Sequence, residues 1–383
     1  MRWLEVLAVS VYTLSLTGSA LAVALMFFAR TGPTLLCAPI AGTLAERLPR
    51  RVLLGVGSGL MFFTSLTLAT LAYSGALVLW QVASGAVISG IVWSLEHTVR
   101  RTIVRDVVDA RIIGNAISLD SSSQNATRMA GPLLGGALFA AVGMPGAYAI
   151  GAVVYGVAVA VIFTIKAPLP ATSESRESLV RSIASVLAYV RTNRTVASVL
   201  MITICLNFFG SPYIAMVPVI GRDVLGLDPQ GIGALMAAEG GGAMLGAVVL
   251  ALAVNRRYYS RIFTVGAFGF MGGICAFANA ESFAMASTAL LFAGLGLGGF
   301  AAMQSTILLT YSEPRMRTRV MGILALTIGA GPIGTLLLGV ATQFLAPPVA
   351  VSASAATGVV AFALVVYLWP ELVRLHREPG EAA

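Results

Sequence analysis

Apolar runs follow one another along almost the whole chain, each broken by a short polar junction. In hydrocarbon, peptide groups must be satisfied by the chain itself, so such runs wind into helices. A bilayer core of about 30 Å takes ~20 helical residues to cross. The pattern predicts helices over residues 3–16, 19–44, 52–73, 76–99, 115–141, 146–166, 195–219, 229–254, 262–280, 283–310, 320–345 and 348–370, an all-α integral membrane protein of twelve helices. The first run would rise only about 21 Å, and we expect that the beginning of the first helix is truncated. One long polar stretch, 167–194, opens with Ala-Pro-Leu-Pro and runs on through Ser173, Glu174, Ser175 and Arg176. Inside it Leu179, Ile183, Val186, Leu187 and Val190 recur at helical spacing, which predicts an amphipathic helix lying on the cytoplasmic membrane face. The expected organisation is therefore a six-helix half over 1–166, a linker over 167–194, a second six-helix half over 195–370 and a tail over 371–383. Gly131-Pro132 in the fifth segment and Gly331-Pro332 in the eleventh lie 200 positions apart, as expected of parallel repeats with a substrate site between the halves near mid-membrane.

Composition agrees with this class. Hydrophobic residues make up 58% and charged residues 10% of the 383 positions, where a soluble domain carries about 25% charge. Mean hydropathy is +0.90. Basic residues outnumber acidic ones 24 to 16, and their placement is more telling than their number. Even-numbered junctions hold Arg47, Arg50 and Arg51; Arg100, Arg101, Arg105 and Arg111; Lys166, Arg176, Arg181, Arg191 and Arg194; Arg256, Arg257 and Arg261; and Arg315, Arg317 and Arg319. Odd junctions hold only Arg222, and the tail adds Arg374 and Arg377. The positive-inside rule then places the even junctions and the C-terminus in the cytoplasm. Arginine in place of lysine, with abundant Ala and Gly, points to a bacterial source and so to the inner membrane.

Several classes drop out. No basic domain stands outside the apolar runs, which excludes nucleic acid as a partner. Cys37, Cys205 and Cys275 each sit inside an apolar run with no metal or disulfide spacing. The two histidines, His97 and His376, are peripheral, and no nucleophile–base set or phosphate loop appears, so no enzyme, cofactor or metal is expected. A channel would need a filter-like segment or a ring of pore charges.

Three stretches carry a family resemblance. The run Gly42–Arg51, Gly-Thr-Leu-Ala-Glu-Arg-Leu-Pro-Arg-Arg, resembles the major facilitator signature between helices two and three, with Glu46 where that family usually has Asp. The resemblance implies a cytoplasmic gate: Gly42 permits close helix approach, and Glu46, Arg47, Arg50 and Arg51 pair with neighbouring helix ends. The run Gly131-Pro132-Leu133-Leu134-Gly135-Gly136 is similar to the fifth-helix motif of antiporters in that superfamily, with Thr127 in place of the motif's first glycine. Its small residues imply close helix packing across the interface between halves. Arg2-Trp3-Leu4-Glu5, Leu16–Ser19, Arg30–Pro33, Arg100–Thr102, Gly114–Ala116 and Asn125–Arg128 look like the branch that includes the enterobactin exporter, in which Arg-Trp lies within the first helix. That position of Arg-Trp is what makes the first helix look truncated. One position departs. Gln81 stands where many proton-coupled relatives carry a fourth-helix arginine.

Charges inside the membrane name the candidate chemistry. An ionisable side chain at mid-bilayer costs roughly 2.5–3.5 kcal/mol on insertion scales, so it persists by pairing or by facing a watery cavity. Glu5 and Arg30 fall at similar depth on adjacent antiparallel helices and are expected to pair. Asp120, Gln124 and Arg128, at i, i+4 and i+8, share one helix face, and Asn125 borders it. Glu239 lies near mid-depth of the eighth segment, ahead of Gly240–Gly242. The superfamily resemblance puts the fifth helix near the eighth and so implies that Arg128 approaches Glu239. Glu96 and His97, beside Arg100 and Arg101, read as a gate cluster. Asn207, Tyr213, Gln304 and Thr327, with Trp80 and Trp93, are expected along the cavity. Together these residues suggest a monomeric secondary transporter that exports a small organic molecule in exchange for protons. A uniporter, an importer or a carrier of lipid-like molecules on the same fold is the alternative.

Overall fold

In the computed structural model, residues 1–107, 113–164, 189–253, 258–314 and 316–370 are described. All regular structure among them is helical. Eight helices among the described residues are long and apolar enough to cross a membrane. The chain divides into two compact units, Met1–Arg176 with Leu227–Gly233, and Glu177–Gly226 with Ala234–Ala383.

The first unit holds α1 (Arg2–Thr17), α2 (Ala20–Arg47), α3 (Arg50–Tyr73), α4 (Leu79–Val107) and α5 (Ile113–Thr164). α1 packs on α2 and α5, α2 on α4, and α3 on both α4 and α5. Leu4, Ala8, Met26, Leu68, Val82, Met144 and Tyr148 form one buried core. The fifth and sixth predicted segments are the two arms of α5. They meet at Gly143, whose φ of 62° and ψ of −166° break the helical path. A side chain there would be strained, and glycine turns the chain with almost no loop. Gly18, Gly75 and Gly226 close three other odd-numbered junctions and share the positive φ of Gly143.

The second unit holds α6 (Arg194–Cys205), a π-helical turn (Leu206–Gly210), α7 (Tyr213–Asp223), most of α8 (Pro229–Ala253), α9 (Tyr259–Ala278), α10 (Phe283–Tyr311), α11 (Arg317–Ile328), α12 (Gly331–Ala341) and α13 (Pro347–Leu368). Asn193 caps α6 by accepting from the Val196 amide, and Ser282 caps α10 by accepting from Met285. Phe263, Phe270, Phe277 and Phe362 are fully buried. The seventh predicted segment is thus two helices joined through a π turn, and the eleventh is two helices meeting at Gly329 and Ala330.

The two Gly-Pro dipeptides, read as equivalents, behave differently. Pro332 sits in the first turn of α12, where its missing N–H costs nothing. Pro132 lies inside α5 and removes a backbone bond to the carbonyl four residues back, that of Arg128. The linker helix expected within 167–194 and the tail from 371 fall outside the described residues, apart from 189–194.

Many large apolar side chains face outward, among them Phe63, Trp80, Val153, Phe292, Phe344 and Tyr367. On a soluble surface such a coat would drive aggregation. Against lipid tails it is the required solvent-facing surface.

Candidate functional site

The first unit gathers its polar side chains around Glu5. This carboxylate is only 6% exposed. Arg30 of α2 donates from Nη1 to Glu5 Oε2 at 3.4 Å, and Ser89 of α4 donates to the same oxygen at 3.4 Å. Arg30 also donates from Nη2 to the Arg2 carbonyl at 3.4 Å. These contacts are long for charged hydrogen bonds, which usually fall near 2.7–2.9 Å. The second oxygen, Glu5 Oε1, is buried without a well-aligned hydrogen bond, and the Tyr155 hydroxyl stands beside the carboxylate. Arg2 lies on the face of Trp93, with Cζ 3.5 Å from the ring centroid. Four elements, α1, α2, α4 and α5, therefore supply one polar cluster inside an apolar bundle.

Glycines hold α5 close to it. A β-carbon added at Gly131 would lie 2.6 Å from the Trp3 ring, and one at Gly135 would lie 3.0 Å from the Leu4 Cα. Gly136 faces the start of α8, where an added β-carbon would lie 2.5 Å from the Pro229 carbonyl oxygen, and Gly233 faces the carbonyl of Pro132. The helix-packing set Gly131, Pro132, Gly135 and Gly136 thus lines contacts with α1 and with residues 229–233 inside the first unit.

Other predicted residues are placed as follows. Arg128 and Gln124 are half-buried on α5, whereas Asp120 and Asn125 lie on α5 with side chains outside the described set. Among the gate residues, the side chains of Gly42, Glu46, Arg47, Arg50, Arg100 and Arg101 lie outside it as well, as does His97. Glu96 accepts from Ser58 at 3.4 Å, and Arg51 sits 5.9 Å from the Phe163 ring centroid. Trp80 is 70% exposed on the outer surface.

In the second unit, Gln304 is buried and donates from Nε2 to Thr203 Oγ1 at 2.6 Å. Asn207, within the π turn, donates to the Thr203 carbonyl at 2.9 Å and accepts from Ser211 at 3.3 Å. Tyr213 has its ring buried edge-on against Phe270 and Phe277. Thr327 is buried near the end of α11 and bonds back to the Leu324 carbonyl. Glu239 is 3% exposed on α8. Its helix runs on unbroken through Gly240–Gly242, and Gly242 abuts the Leu291 carbonyl of α10. That glycine packs the two helices closely rather than bending one.

The first unit thus buries a polar cluster among long apolar helices, as an integral membrane protein of many helices can, and comparison with known proteins gives the family. Residues 2–377 match the transmembrane secretion effector family of the major facilitator superfamily. The chain belongs to that family. The family and its named relatives are transporters rather than enzymes. The staphyloferrin A transporter of Staphylococcus aureus is 23% identical over 243 residues, 63% of this chain and 61% of the relative. The uncharacterized MFS-type transporter YfiS of Bacillus subtilis is 24% identical over 256 residues, 64% of this chain and 59% of the relative. The chain therefore matches about three-fifths of the length of each.

Solved structures give the fold of this family member. A bacterial homolog of the human lysosomal transporter Spinster, inward-facing and unoccupied, superposes with a TM-score of 0.72 at 15% identity, over 99% of this chain and 96% of that one. The nucleoside transporter NupG superposes with 0.71 at 10% identity, over 97% and 99%. At such identities the likeness concerns the major facilitator fold alone.

Sequence reasoning passed over Arg2, Ser89 and Tyr155 as site residues, and placed Trp93 only along the cavity. The signal was present. Arg2 and Glu5 are three apart on one helix, and Ser89 and Trp93 are four apart on another, spacings that put each pair on one face.

Proposed function

We propose that this protein is a secondary active transporter that exports a small organic molecule by proton antiport, through alternating access of twelve helices in two six-helix halves. The observation that carries the reading is the buried Glu5 carboxylate, with Arg30 and Ser89 on one oxygen and the Tyr155 hydroxyl beside it. An ionisable group held inside a membrane bundle is the kind of residue that marks proton and substrate pathways. Glu239, with Asp120, is the further proton-coupling candidate, and Arg128 approaches Glu239 during the cycle. Gln124, Asn125, Asn207, Tyr213 and Gln304 line the substrate path. Gly42, Glu46, Arg47, Arg50, Arg51, Glu96, Arg100 and Arg101 form the cytoplasmic gate. The protein works as a monomer in the bacterial inner membrane with its C-terminus in the cytoplasm.

The family match and a relative named for staphyloferrin A support a small-molecule cargo. The motifs at Gly42–Arg51 and Gly131–Gly136, with the likeness to the enterobactin-exporter branch, support export. Gln81, in place of the fourth-helix arginine, favours a second reading in which the same fold runs as a uniporter, an importer or a carrier of lipid-like molecules. Transport into inverted membrane vesicles separates the two. Under the first reading, collapse of the proton gradient abolishes accumulation and Glu5→Gln or Glu239→Gln uncouples it. Accumulation that ignores the gradient, with both variants fully active, rules out antiport.

A further inference from the structure

We propose that Arg2, laid on the indole of Trp93 and tied to Arg30, forms a binding site for a carboxylate group of the transported molecule. The inference rests on the transport reading for its purpose, though not for its geometry. The Arg2 guanidinium carbon is 3.5 Å from the Trp93 ring centroid, so one face of the cation is covered by the aromatic ring. Cation–π contact of this kind holds a guanidinium in place without consuming its in-plane N–H donors. Those donors form a flat fork that matches a carboxylate with two parallel hydrogen bonds.

Among the described residues, Glu5 and Glu96 hydrogen-bond to side chains other than Arg2. Glu5, three residues along α1, gives Oε2 to Arg30 and Ser89. Glu96, three residues beyond Trp93 on α4, takes a hydrogen bond from Ser58. Among the described residues, no salt bridge closes on Arg2. Arg30 is anchored to the Arg2 main chain, which keeps the two guanidinium groups in one place. Arg128 of α5 also stands within electrostatic range of Arg2. Gly131, one turn along from Arg128, packs closely on Trp3.

The guanidinium groups of Arg2 and Arg30 thus lie together beside one carboxylate, Glu5. The positive charge that Arg2 adds to the Arg30–Glu5 pair repels a cationic molecule and attracts an anionic one, so the site selects by sign. The indole beneath Arg2 adds a flat apolar surface on which an aromatic or aliphatic part of the cargo can rest.

The test uses the full chain in nanodiscs of phosphatidylcholine, a lipid without net charge. Propane-1,2,3-tricarboxylate, its triamide and inorganic phosphate are titrated at pH 7.5 and equal ionic strength, with thermal unfolding as the readout. The tricarboxylate is expected to raise Tm in a saturable way, and the triamide and phosphate are not. Arg2→Gln is expected to weaken binding by about 30-fold or more, the scale for losing one partner of a buried charge pair. Trp93→Leu, which keeps every charge, is expected to weaken it less, and it stands in for Arg2→Gln if that variant fails to elute as a single folded species. No stabilisation by the tricarboxylate, an equal effect of the triamide, or unchanged binding in both variants overturns the proposal. An equal effect of phosphate overturns it too and marks a site for phosphate or lipid headgroups. Binding intact in proteoliposomes that show no counterflow of the labelled tricarboxylate would leave the site standing and overturn its assignment to transported molecules of this kind.

Discussion

A carboxylate inside a helix bundle exchanges its hydration shell for whatever the neighbouring helices provide. For Glu5 that is Arg30 and Ser89, both at 3.4 Å. Removing one member of a buried ion pair strands the other, at a cost of roughly 3–5 kcal/mol, whereas removing both is close to neutral. Arg30→Gln is therefore expected to lower the stability of the detergent-solubilised protein strongly, and Glu5→Gln combined with Arg30→Gln to recover most of the loss. Equal, additive losses in thermal unfolding would show that the two side chains do not depend on each other. The buried bond between Gln304 and Thr203, at 2.6 Å, makes a milder case. Interhelical side-chain bonds in membranes average about 0.6 kcal/mol and reach about 1.7, so a double-mutant cycle with Gln304→Leu and Thr203→Val should return a coupling in that range. Depth along adjacent helices was enough to point Glu5 toward Arg30, because an intramembrane charge has few places to go. The stacking of Arg2 on Trp93 was not legible, since sequence distance says nothing about which face of α4 meets α1.

Helices respond to substitution according to what lies a few tenths of an ångström beyond each backbone. Gly272 and Gly273 are neighbours on α9. A β-carbon added at Gly272 meets nothing within 4 Å, while one at Gly273 would lie 2.7 Å from the Ala293 β-carbon and 2.8 Å from its Cα. Gly272→Ala should hold or raise stability by about 0.4–1 kcal/mol through a less flexible unfolded chain. Gly273→Ala should cost roughly 1–3 kcal/mol through overpacking. Matched melting curves of the two variants check this, and an equal response would mean that α9 and α10 are not in close contact there. Apolar run length located the helices well, since the energetic demand it reflects acts on every residue of a span. The π turn at Leu206–Gly210 and the break at Gly329–Ala330 escaped that reading. Both lie within stretches that hydropathy reads as single spans, and at the π turn the backbone packs closely on partner helices. Gly334 abuts the Phe208 carbonyl, and Ser354 donates to that of Phe209 at 2.8 Å. Composition carries no trace of such contacts.

At the scale of the whole chain, the alternation of arginine-bearing and arginine-poor junctions makes a topology prediction. In a background with Cys37, Cys205 and Cys275 replaced, single cysteines at Ala76 and Glu281 should react with an impermeant maleimide on intact cells. A cysteine at Glu313 should react only after permeabilisation. Labelling of all three from one side would break the predicted orientation. Within the second unit, the glycines of α10 face two ways. Gly294 and Gly298 abut the carbonyls of Glu239 and Ala243 on α8, while Gly296 would place a β-carbon 2.6 Å from the Gly266 carbonyl oxygen on α9. With backbone pressed against backbone on both flanks, α8, α9 and α10 cannot roll independently. Motion in this part of the protein must be that of a three-ply board, tilting as one piece, with all rearrangement confined to its margins.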